Sequence, residues 1–282
     1  MKNIFKTLPF LAFICLTGCQ SKDYNQTVFT SFYPLYEFTS RVVGDIYEVE
    51  NLTRPGTEPH DFELTPKKVA ALEDCKALVV NGIHLESWTD SVSKNIKDKT
   101  CVASENIDVR TTSGQDDPHI WLNPLNAIKE MNNIADFMCE LDSDNKETYL
   151  SNLAISTTEF MELDNTLMDI ANSLNQKNIV VAHAAYGYMC DRYGLNQIAI
   201  NGIEPNQEPT AQALEDIIEA VEEYNITTIF TEELISSSAS QLISKECGVK
   251  IEILSPLEEV KDDENYISVM LDNFKKIQEA DR

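Results

Sequence analysis

Residues 143–174 contain neither proline nor glycine, and their apolar side chains recur at helical spacing. This stretch therefore predicts one continuous helix, and at ~1.5 Å per residue it would be about 45 Å long, more than a small domain needs. On both sides of it the chain alternates short β-rich runs with helical patterns, which is typical of βα units and parallel sheets. We predict an α/β protein with two lobes, 27–142 and 175–282, each with a mostly parallel sheet flanked by helices, joined by one long linker helix.

Local signals place some of the element ends. Residues 84–95 have apolar positions at helical spacing and predict a helix in the first lobe. In the second lobe, Thr210 is predicted to cap a helix, because its hydroxyl can accept a backbone N–H that has no partner in the first turn. Gly248 follows the last turn of the next helix, where a left-handed residue is favoured.

The N-terminal segment is typical of a secreted lipoprotein. Lys2 and Lys6 precede an apolar run that is too short to span a membrane, and this run ends at LTGC, residues 16–19. We predict a lipoprotein signal peptide over 1–18, with Cys19 as the lipidated residue and 19–26 as a tether. An ordinary cleaved signal with a chance cysteine is the alternative. Either one places the protein outside the cytoplasm, and multiple acylation of Cys19 would anchor it to a membrane.

The chain is strongly acidic, with 47 acidic and 22 basic residues and a formal net charge of −25. Removing a signal that contains Lys2 and Lys6 makes the charge −27. Such a surface would repel nucleic-acid phosphates, so no nucleic-acid partner is expected. It would also raise the local concentration of cations, although solubility alone is a sufficient reason for the charge.

Five cysteines remain beyond residue 19, an odd number with no CxxC spacing. A thiolate zinc site is therefore not indicated. Cys75 and Cys101 begin two predicted strands of the first lobe. Either a disulfide between them or two buried free thiols fits the sequence.

The chain has only four histidines, and three of them occur where a cleft between the lobes would have its walls. Ligands of open α/β sheets bind beyond the carboxyl ends of the strands. His60 follows a predicted strand, His183 ends one, and His119 lies in the loop that leads to the long helices. His84 also follows a strand, so strand ends alone do not select three histidines.

Seven segments of the chain together carry a family resemblance: RPGTEPHDFELTP (54–66), NGIHLESW (81–88), DDPHIWLNP (116–124), VVAHAAYGYMCDRYGL (180–195), NGIEPNQEPTAQAL (201–214), IFTEEL (229–234) and ILSPLEEV (253–260). Through them the chain resembles, over nearly its whole length after the signal, the metal-binding lipoproteins of bacterial ABC uptake systems for zinc and manganese. Members of that family bind one metal ion between two lobes that a long helix joins.

The resemblance implies a set of four metal ligands. His60, His119 and His183 match the three histidines of the zinc-binding type, and Glu258 matches the acid that follows the last strand, with Glu259 as the neighbouring alternative. Manganese-binding members resemble a set of two histidines and two acids. The third histidine therefore points to Zn²⁺, as does the preference of zinc for imidazole.

Several residues near the implied ligands are candidate partners. Asp61, Asp116 and Asp117 are close enough in sequence to accept the ring N–H of a ligand histidine. Glu232 could act in the same way or could interact with a helix dipole. His84 is expected at the surface, outside the site. Many zinc-binding members carry a histidine-rich loop, but the corresponding NIDVRTTSGQDDP contains no histidine.

The resemblance implies a receptor that captures Zn²⁺ as cargo outside the cytoplasmic membrane and delivers it to an ABC permease and its ATPase. We expect a monomer without enzymatic activity. No GxxxxGK[ST] motif is present, so a partner would supply the energy. A zinc-dependent hydrolase, or a manganese or iron receptor on the same fold, is the alternative, and no HExxH motif supports the hydrolase.

Overall fold

A computed structural model describes residues 23–207, 209–234, 238–261 and 263–281. The predicted signal peptide and Cys19 lie outside the described residues. Among the helices of the described part, none combines the length and the apolar character that crossing a bilayer would require.

The N-terminal lobe contains four strands, β1 (Thr27–Thr30), β2 (Glu48–Asn51), β3 (Ala77–Val80) and β4 (Thr100–Val102). They form a parallel sheet with the order β2-β1-β3-β4. β3 has four consecutive buried residues, as expected for a strand covered on both faces. The helices are α1 (Tyr33–Val43), α2 (Pro66–Asp74), α3 (Lys94–Lys97) and α4 (Pro124–Leu141). An antiparallel pair, β5 (Thr111–Thr112) and β6 (Gln115–Asp116), precedes α4.

The C-terminal lobe repeats this architecture with the strands β7 (Asn178–Val181), β8 (Asn196–Ala199), β9 (Thr228–Thr231) and β10 (Lys250–Ile253). Their order is β10-β9-β7-β8, again all parallel. Its helices are α6 (Gly187–Tyr193), α7 (Ala211–Glu223), α8 (Ser238–Cys247) and α9 (Tyr266–Ala280). Both predicted helix ends are confirmed: the Thr210 hydroxyl accepts the N–H of Ala213, and Gly248 is left-handed with φ 69°.

One long helix, α5 (Lys146–Ser173), links the lobes and confirms the predicted architecture. It packs against α1 and α4 of the first lobe and against α9 of the second. Its Phe160 stacks on Tyr266 of α9 with ring centroids 4.7 Å apart, and it meets Phe38 of α1 edge-on at 5.8 Å. Aromatic pairs of this kind add about 0.5–1.5 kcal/mol beyond their buried area. The limits of the lobes at 27–142 and 175–282 stay a prediction.

The helix predicted over 84–95 is wrong. Ile83 and His84 are left-handed, with φ 51° and 63°, and the rest of the segment forms a 3-10 turn at Thr89–Ser91 followed by the short α3. The buried Glu86 carboxylate explains this, because it accepts the backbone N–H groups of Asn81 and Gly82 at 2.7 and 2.9 Å. These bonds hold the chain in a turn where a helix would begin.

All five cysteines in the described part are free thiols. Cys75 and Cys101 are buried, and burial raises the pKa of Cys75 to about 11 and that of Cys101 to about 12. Of the two alternatives that the sequence allows, the structure therefore shows the buried free thiols. Thiols with raised pKa values are poor nucleophiles and poor metal ligands.

Candidate metal centre

Four remote segments bring three histidines and one glutamate together between the lobes. His60 lies in a 3-10 turn at Pro59–Asp61, and His119 directly precedes a second one at Ile120–Leu122. His183 follows β7, and Glu258 follows β10. The two segments of the C-terminal lobe thus reach the site from the carboxyl ends of parallel strands, where ligands of such sheets bind.

The four side chains point one ligand atom each at a common centre. These atoms all lie within 4.8 Å of one another. Nε2 of His119 is 3.2 Å from Nε2 of His60, 3.2 Å from Nε2 of His183 and 3.8 Å from Oε1 of Glu258. Across the ranges that the structure describes, this is the one group of three or more His, Cys, Asp or Glu residues so arranged.

The centre is buried, and part of its polar surface has no partner. The His119 and His183 side chains are 0 % exposed, and Glu258 is 1 % exposed. Neither carboxylate oxygen of Glu258 has a hydrogen-bond partner among the described residues. Buried carboxylates are normally hydrogen-bonded or bound to a cation, because an unpaired one costs several kcal/mol. The unpartnered oxygens of Glu258 and the converging imidazole nitrogens together fit a bound cation.

Two of the histidines are oriented by buried carboxylates. Nδ1 of His119 donates to Oδ1 of Asp117 at 2.8 Å, and Nδ1 of His183 donates to Oε1 of Glu232 at 2.7 Å. Each bond fixes the tautomer in which Nε2 carries a lone pair toward the centre. Glu232 therefore faces the cleft, whereas Asp116 is exposed at the surface.

The third histidine has a weaker partner. Nδ1 of His60 faces Oε2 of Glu204 at 3.7 Å, which is an ion-pair distance rather than a hydrogen bond. Glu204 lies in the loop after β8 and is about half exposed. Sequence reasoning missed both Glu204 and Glu58, whose carboxylate accepts the backbone N–H of His60 at 3.4 Å. Neither residue has a local signal, because the side chains that usually bond the backbone two residues on are those of Asp, Asn, Ser and Thr.

Hydrogen bonds between side chains and backbone groups hold the loop that carries His119. The backbone N–H of His119 donates to Asp117 at 3.1 Å, and the Asn81 side chain donates to the Pro118 carbonyl at 3.0 Å. Trp121, two residues on, donates its indole N–H to the Pro256 carbonyl at 2.8 Å. Bonds from this loop therefore reach both lobes.

The loop after β10 decides which of two adjacent glutamates enters the centre. Leu257 is left-handed with φ 65°, and its N–H donates to the Ser255 hydroxyl. Asn273 of α9 holds Ser255 by accepting its N–H and donating to its carbonyl. This bend turns Glu258 inward, so Glu258 and not Glu259 belongs to the cluster.

Burial and mutual charge set the protonation of the site. Burial lowers the pKa of His60 to about 2 and holds the pKa of His119 well below its usual range, and the neighbouring histidines lower both further. Burial also acts to lower the pKa of His183, but the charge and hydrogen bond of Glu232 and the charges of Glu58 and Asp117 together outweigh it, so that pKa is raised. Burial and the charges of Glu58 and Glu232 raise the pKa of Glu258 well above its usual range.

His84 stands apart from this cluster. It is exposed and lies in the left-handed turn before α3. The structure thus brings His60, His119, His183 and Glu258 together and leaves His84 at the surface. Three imidazole nitrogens and one carboxylate oxygen make a donor set that can complete the tetrahedral coordination of a borderline-soft dication.

The sequence matches a known family over almost the whole described chain. A family described as "ZnuA: Zinc-uptake complex component A periplasmic" matches residues 28–280. The chain is 35% identical over 308 residues to the zinc-binding lipoprotein AdcA of Streptococcus pneumoniae, an alignment that covers 99% of this chain and 61% of AdcA. The chain therefore spans only about three fifths of that relative.

A second relative and a solved structure agree over nearly their full lengths. The high-affinity zinc uptake system protein ZnuA of Bacillus subtilis is 33% identical over 286 residues, which cover 93% of this chain and 90% of that protein. The crystal structure of the Zn(II)-bound ZnuA-like domain of Streptococcus pneumoniae AdcA superposes with a TM-score of 0.79 at 36% identity, covering 91% of this chain and 99% of that one.

Proposed function

This chain belongs to the ZnuA family of zinc-uptake complex components, and we propose that it is an extracytoplasmic receptor that binds Zn²⁺ as cargo and delivers it to an ABC permease. In this proposal His60, His119, His183 and Glu258 are the four metal ligands. The observation that carries it is the buried convergence of these four side chains, in which neither carboxylate oxygen of Glu258 accepts a well-aligned hydrogen bond from the described residues.

The donor set favours zinc over manganese. Neutral imidazole nitrogens suit Zn²⁺, whereas manganese sites are richer in oxygen. Four protein ligands would also complete a tetrahedral shell. Catalytic zinc sites keep one position open for water, so this donor set favours binding of the ion as cargo over catalysis. Glu258, which would have to serve as the base of a hydrolase, is itself one of the four converging groups.

The membrane partners follow from the same proposal. A receptor of this kind would dock on a permease that is driven by a separate ATPase, as a monomer held at the membrane through lipid on Cys19. Sedimentation of the purified protein and mass spectrometry of residue 19 from the membrane fraction would test the monomer and the anchor.

The metal preference can be measured by competition. We expect Zn²⁺ to displace Mn²⁺ from the protein at equal concentrations, because most protein sites bind Zn²⁺ more tightly than Mn²⁺ and imidazole ligands widen that difference. A chromogenic chelator would report free zinc while Mn²⁺ is varied. Tighter binding of Mn²⁺ than of Zn²⁺ would overturn the proposed cargo.

Zinc binding should release protons and weaken in acid. Before binding, the raised pKa values of His183 and Glu258 keep protons on these groups at higher pH than usual, and both must lose them to bind the metal. His60 and His119 are already neutral. As the pH is lowered, zinc affinity should therefore begin to fall while the pH is still above 6.5, the ordinary pKa of histidine. The affinity should fall by about tenfold per pH unit for each proton released. Calorimetry in buffers of different ionisation enthalpy counts these protons, and a count of zero would contradict the assignment.

A further inference from the structure

The β5–β6 hairpin places Arg110 directly beside Asp117. Ser113 and Gly114 form its two-residue turn, both with positive φ (53° and 85°), the geometry that tight hairpins prefer. This turn pairs Thr111 with Asp116, so the next residues out, Arg110 and Asp117, lie opposite each other. The N–H of Asp117 donates to the Arg110 carbonyl at 2.8 Å.

The two oxygens of Asp117 have different partners. Oδ1 accepts the backbone N–H of His119 at 3.1 Å and its ring Nδ1–H at 2.8 Å. Oδ2 is buried and has no hydrogen bond within the described structure, but Nη1 of Arg110 lies 3.7 Å away. Arg110 is thus the cation that faces a fully buried carboxylate, and one third of its own side chain is exposed.

Helix α6 of the other lobe closes over this pair. The Tyr188 hydroxyl accepts the backbone N–H of Arg110 at 2.7 Å and donates to the Asp117 carbonyl at 2.8 Å. Nε of Arg110 donates to Asp191 at 2.9 Å. A Cβ at Gly187 would lie 2.3 Å from Nη1 of Arg110 and 2.9 Å from Oδ2 of Asp117, so only glycine admits the guanidinium here.

We propose that Arg110 is a positioning residue for the metal ligand His119 and that it acts through Asp117. By facing Oδ2, it holds the Asp117 carboxylate in the orientation in which Oδ1 receives both N–H groups of His119, so that Nε2 points at the ion. The same guanidinium donates to Asp191 of α6 in the other lobe. Arg110 therefore connects the contact between the lobes to the metal ligand His119. This inference rests on the proposed zinc-binding function.

Replacing Arg110 with methionine, which keeps most of the aliphatic length, should weaken zinc binding about 10–100-fold, the usual effect of losing a partner that orients a ligand. Gly187→Ala should have a similar effect, because its methyl group would displace the guanidinium. Asp191→Asn is the matched control: it removes only the charge of an exposed partner of Arg110, leaves an amide oxygen to accept from Nε, and should change the affinity by less than about fivefold. Affinity and dissociation rate would be measured with a competing chelator.

A double-mutant cycle distinguishes positioning from a general clamp between the lobes. If Arg110 acts through Asp117, Arg110→Met should have almost no further effect in a protein that already carries Asp117→Asn. Additive losses of affinity would overturn the proposal, as would wild-type affinity in both Arg110→Met and Gly187→Ala. Failure of the unmodified protein to bind zinc would instead refute the proposed function, so the two failures are distinguishable.

Discussion

Replacing His119 with alanine is expected to reduce zinc affinity by more than the 10–100-fold that loss of an outer partner typically costs. His119 is the hub of the cluster, since its Nε2 lies 3.2 Å from both other histidines and 3.8 Å from Glu258. Without it, a tetrahedral ion would have three protein ligands and an open position. His183→Ala should have an effect of the same order, and calorimetric titration with Zn²⁺ would measure both.

The variants should still fold without metal, because the loop at His119 is held by other bonds. Asn81 holds the Pro118 carbonyl, and Trp121 binds the Pro256 carbonyl. Circular dichroism of the apo proteins would check this. His84→Ala is the control, since it removes an exposed imidazole outside the cluster and should leave affinity unchanged. Wild-type affinity in His119→Ala would show that the ligand assignment is wrong.

The architecture and the location of the cleft could be predicted from the sequence, because both depend on local patterns. Alternating strands and helices indicate parallel sheets, and loops at the carboxyl ends of their strands must meet. His183 could be placed in this way directly from the end of NIVVAH. Its partner Glu232 could not be distinguished from a helix-start acid, because that choice depends on a contact between segments 49 residues apart.

The choice of Glu258 over Glu259 also lay beyond the sequence pattern alone. The left-handed backbone of Leu257 and two hydrogen bonds between Asn273 and Ser255 decide which glutamate turns inward. The residue types at 255 and 257 predict neither feature. The β5–β6 hairpin was missed for a different reason. Its strands are two residues long, too short for alternation to be visible, although Ser113–Gly114 is a recognisable turn pair.

Trp121→Ala should lower the free energy of unfolding by about 3–5 kcal/mol, the usual cost of truncating a large buried aromatic side chain. Trp121 is fully buried and packs edge-on against Phe32 with ring centroids 4.6 Å apart. It also links the halves of the site, since it follows His119 in one lobe and its indole donates to Pro256 in the loop that carries Glu258. Urea denaturation followed by circular dichroism would measure the loss, because removing a tryptophan alters the fluorescence itself.

Trp121→Phe separates the packing of this side chain from its hydrogen bond. Phenylalanine keeps most of the apolar contact but leaves the Pro256 carbonyl without its indole donor, which should cost about 1–3 kcal/mol. Because Pro256 is two residues from Glu258, this variant should also bind zinc more weakly than the wild type. If Trp121→Phe matched the wild type in both stability and affinity, the indole bond would not couple the two lobes at the metal centre. A loss as large as that of the alanine variant would instead mean that the bond, rather than the packed ring, supplies most of the stabilisation.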